Sequence, residues 1–168
     1  GTDEWRMTWR ELSDRAKALA VRLLEAGAAG KPVLLLHEPG NSFVVSLFAC
    51  WHAGAIAVPG HPPKGARHRE RLAAVIRDSG AKLALAETPL PHLDGVRVLD
   101  VDVPISGGSG LPPVLPDDAP CVLQYTSGST AAPKSTWALS GTNFCRRCMS
   151  SSISNNVRSS PPLRWTST

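Results

Sequence analysis

The sequence lacks the features of a membrane protein or of a disulfide-stabilised secreted protein. No apolar stretch approaches the roughly 20 residues of a membrane-spanning helix, and residues 1–4 do not resemble a signal peptide. Cys50 and Cys121 lie in apolar runs, where free cysteine behaves as a small hydrophobic residue. Cys145 and Cys148 have C-x-x-C spacing, but no second ligand pair follows. We therefore expect a cytoplasmic protein with no transmembrane segment, no disulfide framework and no metal site.

Acidic residues are absent from the end of the chain. Residues 1–134 hold 14 Lys and Arg against 14 Asp and Glu, whereas residues 135–168 hold four arginines and no acid. The net charge of +4 therefore comes entirely from residues 135–168. Recognition of nucleic acid needs a basic face on the folded part of a protein, so we expect no nucleic-acid partner.

Short apolar blocks alternate with helical patterns along the first hundred residues. A capping box at Thr8-Trp9-Arg10-Glu11 predicts a helix that ends at Gly27, and apolar spacing predicts two more helices over residues 43–52 and 66–79. Strands are predicted over residues 33–36, 55–58 and 82–86, with a half-exposed edge strand over 96–101. A turn is expected at Pro59-Gly60, and a connection over residues 103–118. This alternation is typical of an α/β fold with a parallel sheet flanked by helices.

The most distinctive segment is residues 125–134, Tyr-Thr-Ser-Gly-Ser-Thr-Ala-Ala-Pro-Lys, which follows the apolar run 121–124. Hydroxyl groups and the backbone N–H groups of a glycine-containing turn can converge on anionic oxygens, and a lysine supplies a compact positive charge. No Gly-Lys-Ser/Thr closes the segment, so it is not a Walker A loop. A solvated linker is the alternative, but linkers rarely combine this residue order with a preceding buried strand. The segment predicts a phosphate-binding loop.

This loop resembles the phosphate-binding signature of the adenylate-forming superfamily, whose usual form is Thr-Ser-Gly-Ser-Thr-Gly-x-Pro-Lys-Gly. The chain differs at Ala131 and Ser135, where the family has glycine. Residues 8–12, 31–36 and 43–59 resemble the helices and strands that open these enzymes, so the resemblance covers roughly residues 5–134. Pro62-Pro63 and its context favour the fatty-acyl-AMP ligase branch, which is close to the acyl-CoA synthetases.

The resemblance implies the N-terminal part of the large domain of an adenylate-forming enzyme, with a partial parallel sheet. It implies ATP and Mg²⁺ as cofactors, a fatty acid or other carboxylate as substrate, and an acyl carrier protein or coenzyme A as acceptor. The residues expected to bind the β- and γ-phosphates are Thr126, Ser127, Gly128, Ser129, Thr130 and Lys134. No catalytic residue or metal ligand is identified, because in the family these residues follow the phosphate loop.

The resemblance stops one residue after Lys134, within the motif. We predict a truncated AMP-binding domain over residues 1–134, and a Ser- and Arg-rich tail over 135–168 that is disordered or translated out of frame. A one-base shift in the coding DNA should then restore a glycine and family-like helices, and failure in both shifted frames would contradict the hypothesis. Because the first residue is not Met, we expect the chain to begin inside a longer reading frame.

The predicted function is therefore that of a fragment of an ATP-dependent ligase, inactive by itself, that activates a fatty acid as acyl-adenylate for transfer to a carrier-protein or coenzyme A thiol. Two other interpretations stay open. One is a fragment of an amino-acid adenylation domain, since only the acyl pocket would separate the two. The other is a non-catalytic remnant whose basic tail contacts acidic partners. His37, His52, His61, His68 and His92 show no ligand spacing and are expected to be ordinary surface or half-buried residues.

Overall fold

The structure is a computed structural model that describes residues 5–87, 90, 93–102, 119–126, 134–139 and 163–165. Within these residues the helices are α1 (Trp9–Glu25), α2 (Asn41–His52) and α3 (Ala66–Ser79). Its strands are β1 (Trp5–Met7), β2 (Pro32–Leu36), β3 (Ile56–Gly60), β4 (Leu83–Ala86), β5 (Arg97–Asp100), β6 (Pro120–Thr126), β7 (Lys134–Leu139) and β8 (Leu163–Trp165). None of these helices is long and apolar enough to span a bilayer.

The main sheet has six strands in the order β5-β4-β2-β3-β6-β7. The first five run parallel, and β7 pairs antiparallel with β6. Strands β1 and β8 form a separate antiparallel pair. The prediction of an α/β fold with a parallel sheet and flanking helices is confirmed.

Helix α1 begins where the capping box predicts. The Glu11 backbone N–H donates to Thr8 Oγ1 at 3.2 Å, and the Thr8 backbone N–H donates to Glu11 Oε2 at 2.8 Å. These reciprocal bonds satisfy two of the donors that the start of a helix leaves unpaired. Gly27, just beyond the helix, has a φ of +72°, a conformation that favours glycine.

Helices cover both faces of the sheet and enclose two apolar cores. On one face, α1 and α2 pack over alternate strand residues that include Val33 and Leu35. On the other face, Leu72 and Val75 of α3 pack with Leu34 and other residues of the intervening set. Because both faces of β2 are covered, its four residues from 33 to 36 are all buried, which explains their continuous apolar run.

The direction in which successive strands are added to the sheet reverses next to β2. The connection through α2 places β3 on one side of β2, and the connection through α3 returns to place β4 on the other side. Since α2 and α3 lie on opposite faces, the loops that leave the carboxyl ends of β2 and β3 diverge there. Ligands of open α/β sheets bind at such a point.

Four details bear on the predictions. The expected turn at Pro59-Gly60 is wrong: β3 continues through both residues, which pair with Leu35 and Leu36 of β2. Strand β5 lies at the sheet edge, as predicted from its alternating pattern. Strand β7 was not predicted, and the connection over residues 103–118 lies outside the described residues.

Candidate functional site

A cleft opens at the carboxyl ends of β2, β3 and β6, where the strand order reverses. Its volume is about 770 Å³. We call it the switch-point cleft; its lining residues are Leu34, His37, Glu38, Pro39, Phe43, Pro59, Gly60, His61, Pro62, Lys64, His68, Arg71, Leu72, Val75, Gln124 and Tyr125. Apolar walls with a few convergent polar groups are typical of small-molecule sites.

Three charged side chains line the cleft, two basic and one acidic. Lys64 Nζ lies 2.8 Å from Glu38 Oε1, and both side chains are largely exposed, at 71% and 49%. The hydrogen bond from Lys64 lowers the pKa of Glu38 below its usual value, with further help from the positive charge of Lys64. Because the pair is exposed, its contribution to stability is small. Arg71 also lines the cleft and carries a second positive charge. These three side chains therefore carry one net positive charge, since Lys64 is paired with Glu38.

A buried histidine forms part of the cleft lining. His37 is only 2% exposed and directly follows β2. Its Nε2 is hydrogen-bonded to Ser46 Oγ at 2.9 Å, while its Nδ1 has no hydrogen-bond partner among the described residues. Burial lowers the pKa of His37, and the nearby Glu87 carboxylate opposes this effect only in part. The imidazole is therefore neutral at pH 7, so it can form hydrogen bonds without bringing a positive charge into the cleft.

A tyrosine connects the cleft to the end of β6. The Tyr125 hydroxyl donates to Asp78 Oδ2, near the end of α3, at 2.6 Å. Burial raises the pKa of Tyr125, and the hydrogen bond to Asp78 raises it further, so the phenol stays protonated as a donor. Tyr125 belongs to β6, the strand that precedes the predicted phosphate loop, and its side chain also lines the cleft. This side chain therefore connects β6 to α3 at the wall of the cleft.

The two ends of the predicted phosphate loop lie side by side. Thr126 ends β6 at the carboxyl edge of the sheet, and Lys134 begins β7 directly opposite it in the antiparallel register. Opposed Cα atoms in such a ladder are about 5 Å apart. Ser127, Gly128, Ser129 and Thr130 lie outside the described residues. Phosphate binding by these six residues therefore stays a prediction, and the structure places the loop's two ends beside the cleft.

Most of the cleft was not predicted from the sequence. His37, His61 and His68, expected to be ordinary surface or half-buried residues, all line the cleft. The available signal was position: the first two directly follow the parallel strands β2 and β3, and such ends converge at one edge of a sheet. Within the described part of the chain, no group of three or more His, Cys, Asp or Glu side chains could hold a metal ion.

A doubly wound sheet with a cleft at its switch point defines an open α/β domain, the class of fold whose ligands bind at such a point. Comparison with known proteins identifies the family. The model of the AMP-binding enzyme family matches residues 2–162, so the chain belongs to this family. The resemblance inferred from the phosphate-loop signature is confirmed.

The relatives include proteins named as fatty-acid ligases and as a peptide synthetase. The long-chain-fatty-acid–AMP ligase FadD26 of Mycobacterium marinum is 32% identical over 143 residues, which is 76% of this chain and 24% of that protein. Phosphinothricin tripeptide synthetase PhsB of Streptomyces viridochromogenes is 38% identical over 139 residues, or 76% of this chain and 11% of that protein.

A solved structure shows the same fold. The fatty acyl-adenylate ligase from Legionella pneumophila, in complex with acyl adenylate and pyrophosphate, superposes with a TM-score of 0.70 at 30% identity. The superposition covers 79% of this chain and 25% of that one. The chain therefore spans about a quarter of the length of the fatty-acid ligases it matches.

Proposed function

We propose that this chain forms the first part of an ATP-dependent ligase that activates a fatty acid as acyl-adenylate and passes the acyl group to a carrier-protein or coenzyme A thiol. In this proposal the chain contributes phosphate binding, and by itself it forms no acyl-adenylate. In-line attack of a carboxylate on the α-phosphate needs reacting groups held in a fixed geometry. The chain matches only 24% of the length of a fatty-acid–AMP ligase relative. This short match supports the idea that other segments supply part of that geometry.

One observation carries the proposal: Thr126 and Lys134 face each other at the carboxyl edge of the sheet, beside the switch-point cleft. A loop between these residues begins and ends at the edge where open α/β sheets bind ligands. Arg71, which lines the cleft, adds one positive charge that favours a polyphosphate. Family membership and the signature sequence support the same assignment.

The residues present fit ATP. The loop would hold the β- and γ-phosphates through Thr126, Ser127, Ser129 and Thr130, with Gly128 allowing close approach of the backbone and Lys134 neutralising charge. ATP supplies an activated phosphoryl centre and a pyrophosphate leaving group. We propose that Mg²⁺ arrives bound to the nucleotide and that its protein ligand lies in another part of the enzyme. A cytoplasmic location stays a prediction.

Equilibrium binding of Mg·ATP to the chain tests the proposal. Replacing Lys134 by Ala should weaken binding by about tenfold or more, because one charge-assisted contact is lost. Lys31→Ala is the matched control, since Lys31 is exposed beside the opposite, amino-terminal end of β2. It should leave the affinity unchanged. Absence of Mg·ATP binding, or equal effects of the two substitutions, would refute the assignment.

An amino-acid adenylation function is the second candidate, favoured by the 38% identity to a tripeptide synthetase. Pyrophosphate exchange by the whole enzyme of which this chain is proposed to form the first part, assayed with panels of fatty acids and amino acids, distinguishes the two. Exchange that depends on amino acids alone would exclude the fatty-acid proposal. A non-catalytic remnant would bind no Mg·ATP at all.

A further inference from the structure

Helix α3 has a largely exposed surface that is rich in arginine. Only Leu72 and Val75 of its 14 residues are buried, and both pack on the sheet. The helix holds no lysine and four arginines, all of them exposed: Arg67, Arg69, Arg71 and Arg77. Within the described part of the chain, none of the four forms an ion pair or a hydrogen bond with another side chain. We call Arg67 and Arg71, which are one helical turn apart, the arginine stripe.

The arginine stripe is unfavourable for the helix that carries it. Arg67 is the second residue of α3, where the helix dipole disfavours a positive charge, and the first turn holds no acidic residue. Like charges four positions apart on a helix, such as Arg67 and Arg71, also destabilise it. Residues that break such local rules commonly serve another purpose. Binding of a partner explains the stripe better than the stability of α3 does.

The stripe lies next to the switch-point cleft. Arg71 lines the cleft, and Arg67 is one turn before it on α3. Lys64 lines the cleft as well, but its charge is paired with that of Glu38. The two arginines therefore carry the unpaired positive charge on this side of the cleft, and a protein that contacts them would be close to the cleft.

The residue types of α3 indicate an acidic protein surface as the partner. The planar guanidinium of arginine binds a carboxylate through two parallel hydrogen bonds, and protein interfaces are enriched in arginine and depleted of lysine. A lipid surface would need apolar side chains to insert, but the large apolar side chain that is exposed in the described part of the chain is Val98, in edge strand β5. Nucleic acid would need a broad basic face, whereas residues 1–134 hold equal numbers of basic and acidic residues, and Glu70 lies within α3.

We propose that the arginine stripe of α3 docks an acidic surface of the acyl carrier protein that receives the acyl group. The inference rests on the proposed function for the identity of the partner, because a carrier protein is one of its two acyl acceptors. Of these two, a carrier protein has the extended surface that a docking face requires, whereas coenzyme A does not. Carboxylates on the carrier protein would pair with Arg67 and Arg71 and would remove the repulsion between them.

The test is equilibrium binding of the chain, without ATP, to apo acyl carrier proteins of graded negative charge. The apo form lacks the thiol and therefore reports the surface contact alone. Arg67→Glu should weaken binding about tenfold, the scale of one charge-assisted hydrogen bond, and adding Arg71→Glu should weaken it further. Added NaCl should weaken binding of the unsubstituted chain more than binding of Arg67→Glu.

The matched control is Arg10→Glu. Arg10 is also exposed and is also the second residue of its helix, but α1 lies on the opposite face of the sheet. Arg10→Glu should leave the affinity for the carrier proteins unchanged. Both substitutions place an acidic residue in the first turn of a helix, so the midpoint of urea unfolding should not fall in either variant. Loss of binding without loss of stability therefore identifies a docking contact and excludes misfolding.

Four results would overturn the inference. These are equal affinities of Arg67→Glu and the unsubstituted chain, absence of binding to every carrier protein, and binding through Arg67 to duplex DNA or phosphatidylglycerol vesicles in place of the carrier protein. The fourth is a whole enzyme that Arg67→Glu destabilises with no change in carrier binding, because another segment of the enzyme would then cover the stripe.

Mg·ATP affinity separates this inference from the proposed phosphate binding. A chain that binds the carrier protein through Arg67 but binds no Mg·ATP would refute phosphate binding and support the docking face. A chain that binds Mg·ATP but no carrier protein would support phosphate binding and refute the docking face.

Discussion

Acidification should destabilise the chain through His37, because this imidazole is buried in a setting that suits only its neutral form. Both nitrogens become donors on protonation. Nε2 already bonds to Ser46, and Nδ1 would carry a proton with no acceptor among the described residues. Burial accordingly lowers the pKa of His37 in the folded chain below the ordinary value near 6.5.

The sign of the effect follows from proton uptake. Between the lowered folded pKa and about 6.5, the unfolded chain binds a proton at this residue that the folded chain does not. The free energy of unfolding therefore falls as the pH drops below about 6.5, by up to about 1.4 kcal/mol per pH unit for one proton. His52 has a pKa lowered by burial too and adds a second contribution of the same sign.

Urea unfolding between pH 7.5 and pH 5 measures the slope. The Gln side chain in His37→Gln has an amide that can hydrogen-bond to Ser46 but cannot titrate. The slope of the free energy of unfolding against pH should therefore decrease by up to about 1.4 kcal/mol per pH unit. His61→Gln is the control, because His61 lies in the same cleft but is exposed. The slope, rather than the stability at one pH, is the decisive quantity. An identical slope in His37→Gln and the unsubstituted chain would refute the reasoning.

Three further predictions concern stability and reactivity. Thr8→Ala removes the capping box of α1 and should lower the free energy of unfolding by about 1 kcal/mol in urea denaturation; no loss would contradict the role of the cap. Leu35→Ala, in the fully buried centre of β2, should cost about 3 to 5 kcal/mol, whereas Val98→Ala at the exposed edge strand should cost less than about 1 kcal/mol. Cys50 is fully buried, and burial raises the pKa of its thiol. Iodoacetamide should therefore leave Cys50 unlabelled in native buffer and label it in urea. Rapid labelling in native buffer would show that the thiol is accessible and contradict the prediction.

The position of the cleft has a direct bearing on the proposed function. The loop's ends and the cleft lie at one edge of the sheet, so a nucleotide on the loop and a ligand in the cleft would be neighbours. Tyr125 lies between them and is held by Asp78. Phosphate binding and occupation of the cleft should therefore affect each other, which measurement of Mg·ATP affinity with and without a candidate acid can detect.

The elements were largely predictable because their signals are local. The capping box at Thr8, the helical spacing up to Gly27 and the apolar block in β2 each act within a few residues along the chain. The half-exposed pattern of β5 indicated an edge strand, and β5 is at the edge. Strand β7 escaped prediction because its polar sequence has no strong pattern, and it forms through pairing with β6.

The sequence by itself determined the α/β class, most helices and strands, and the signature that led to the family. Only the tertiary structure decided which strands are neighbours and where a ligand can bind. The switch-point cleft depends on strand order, which reverses beside β2 and leaves no local trace in the chain. The contact between Tyr125 and Asp78 spans 47 positions and exists because α3 packs across the sheet face that β6 shares. Such contacts arise from burial of apolar faces between distant segments, which no short stretch of sequence specifies alone.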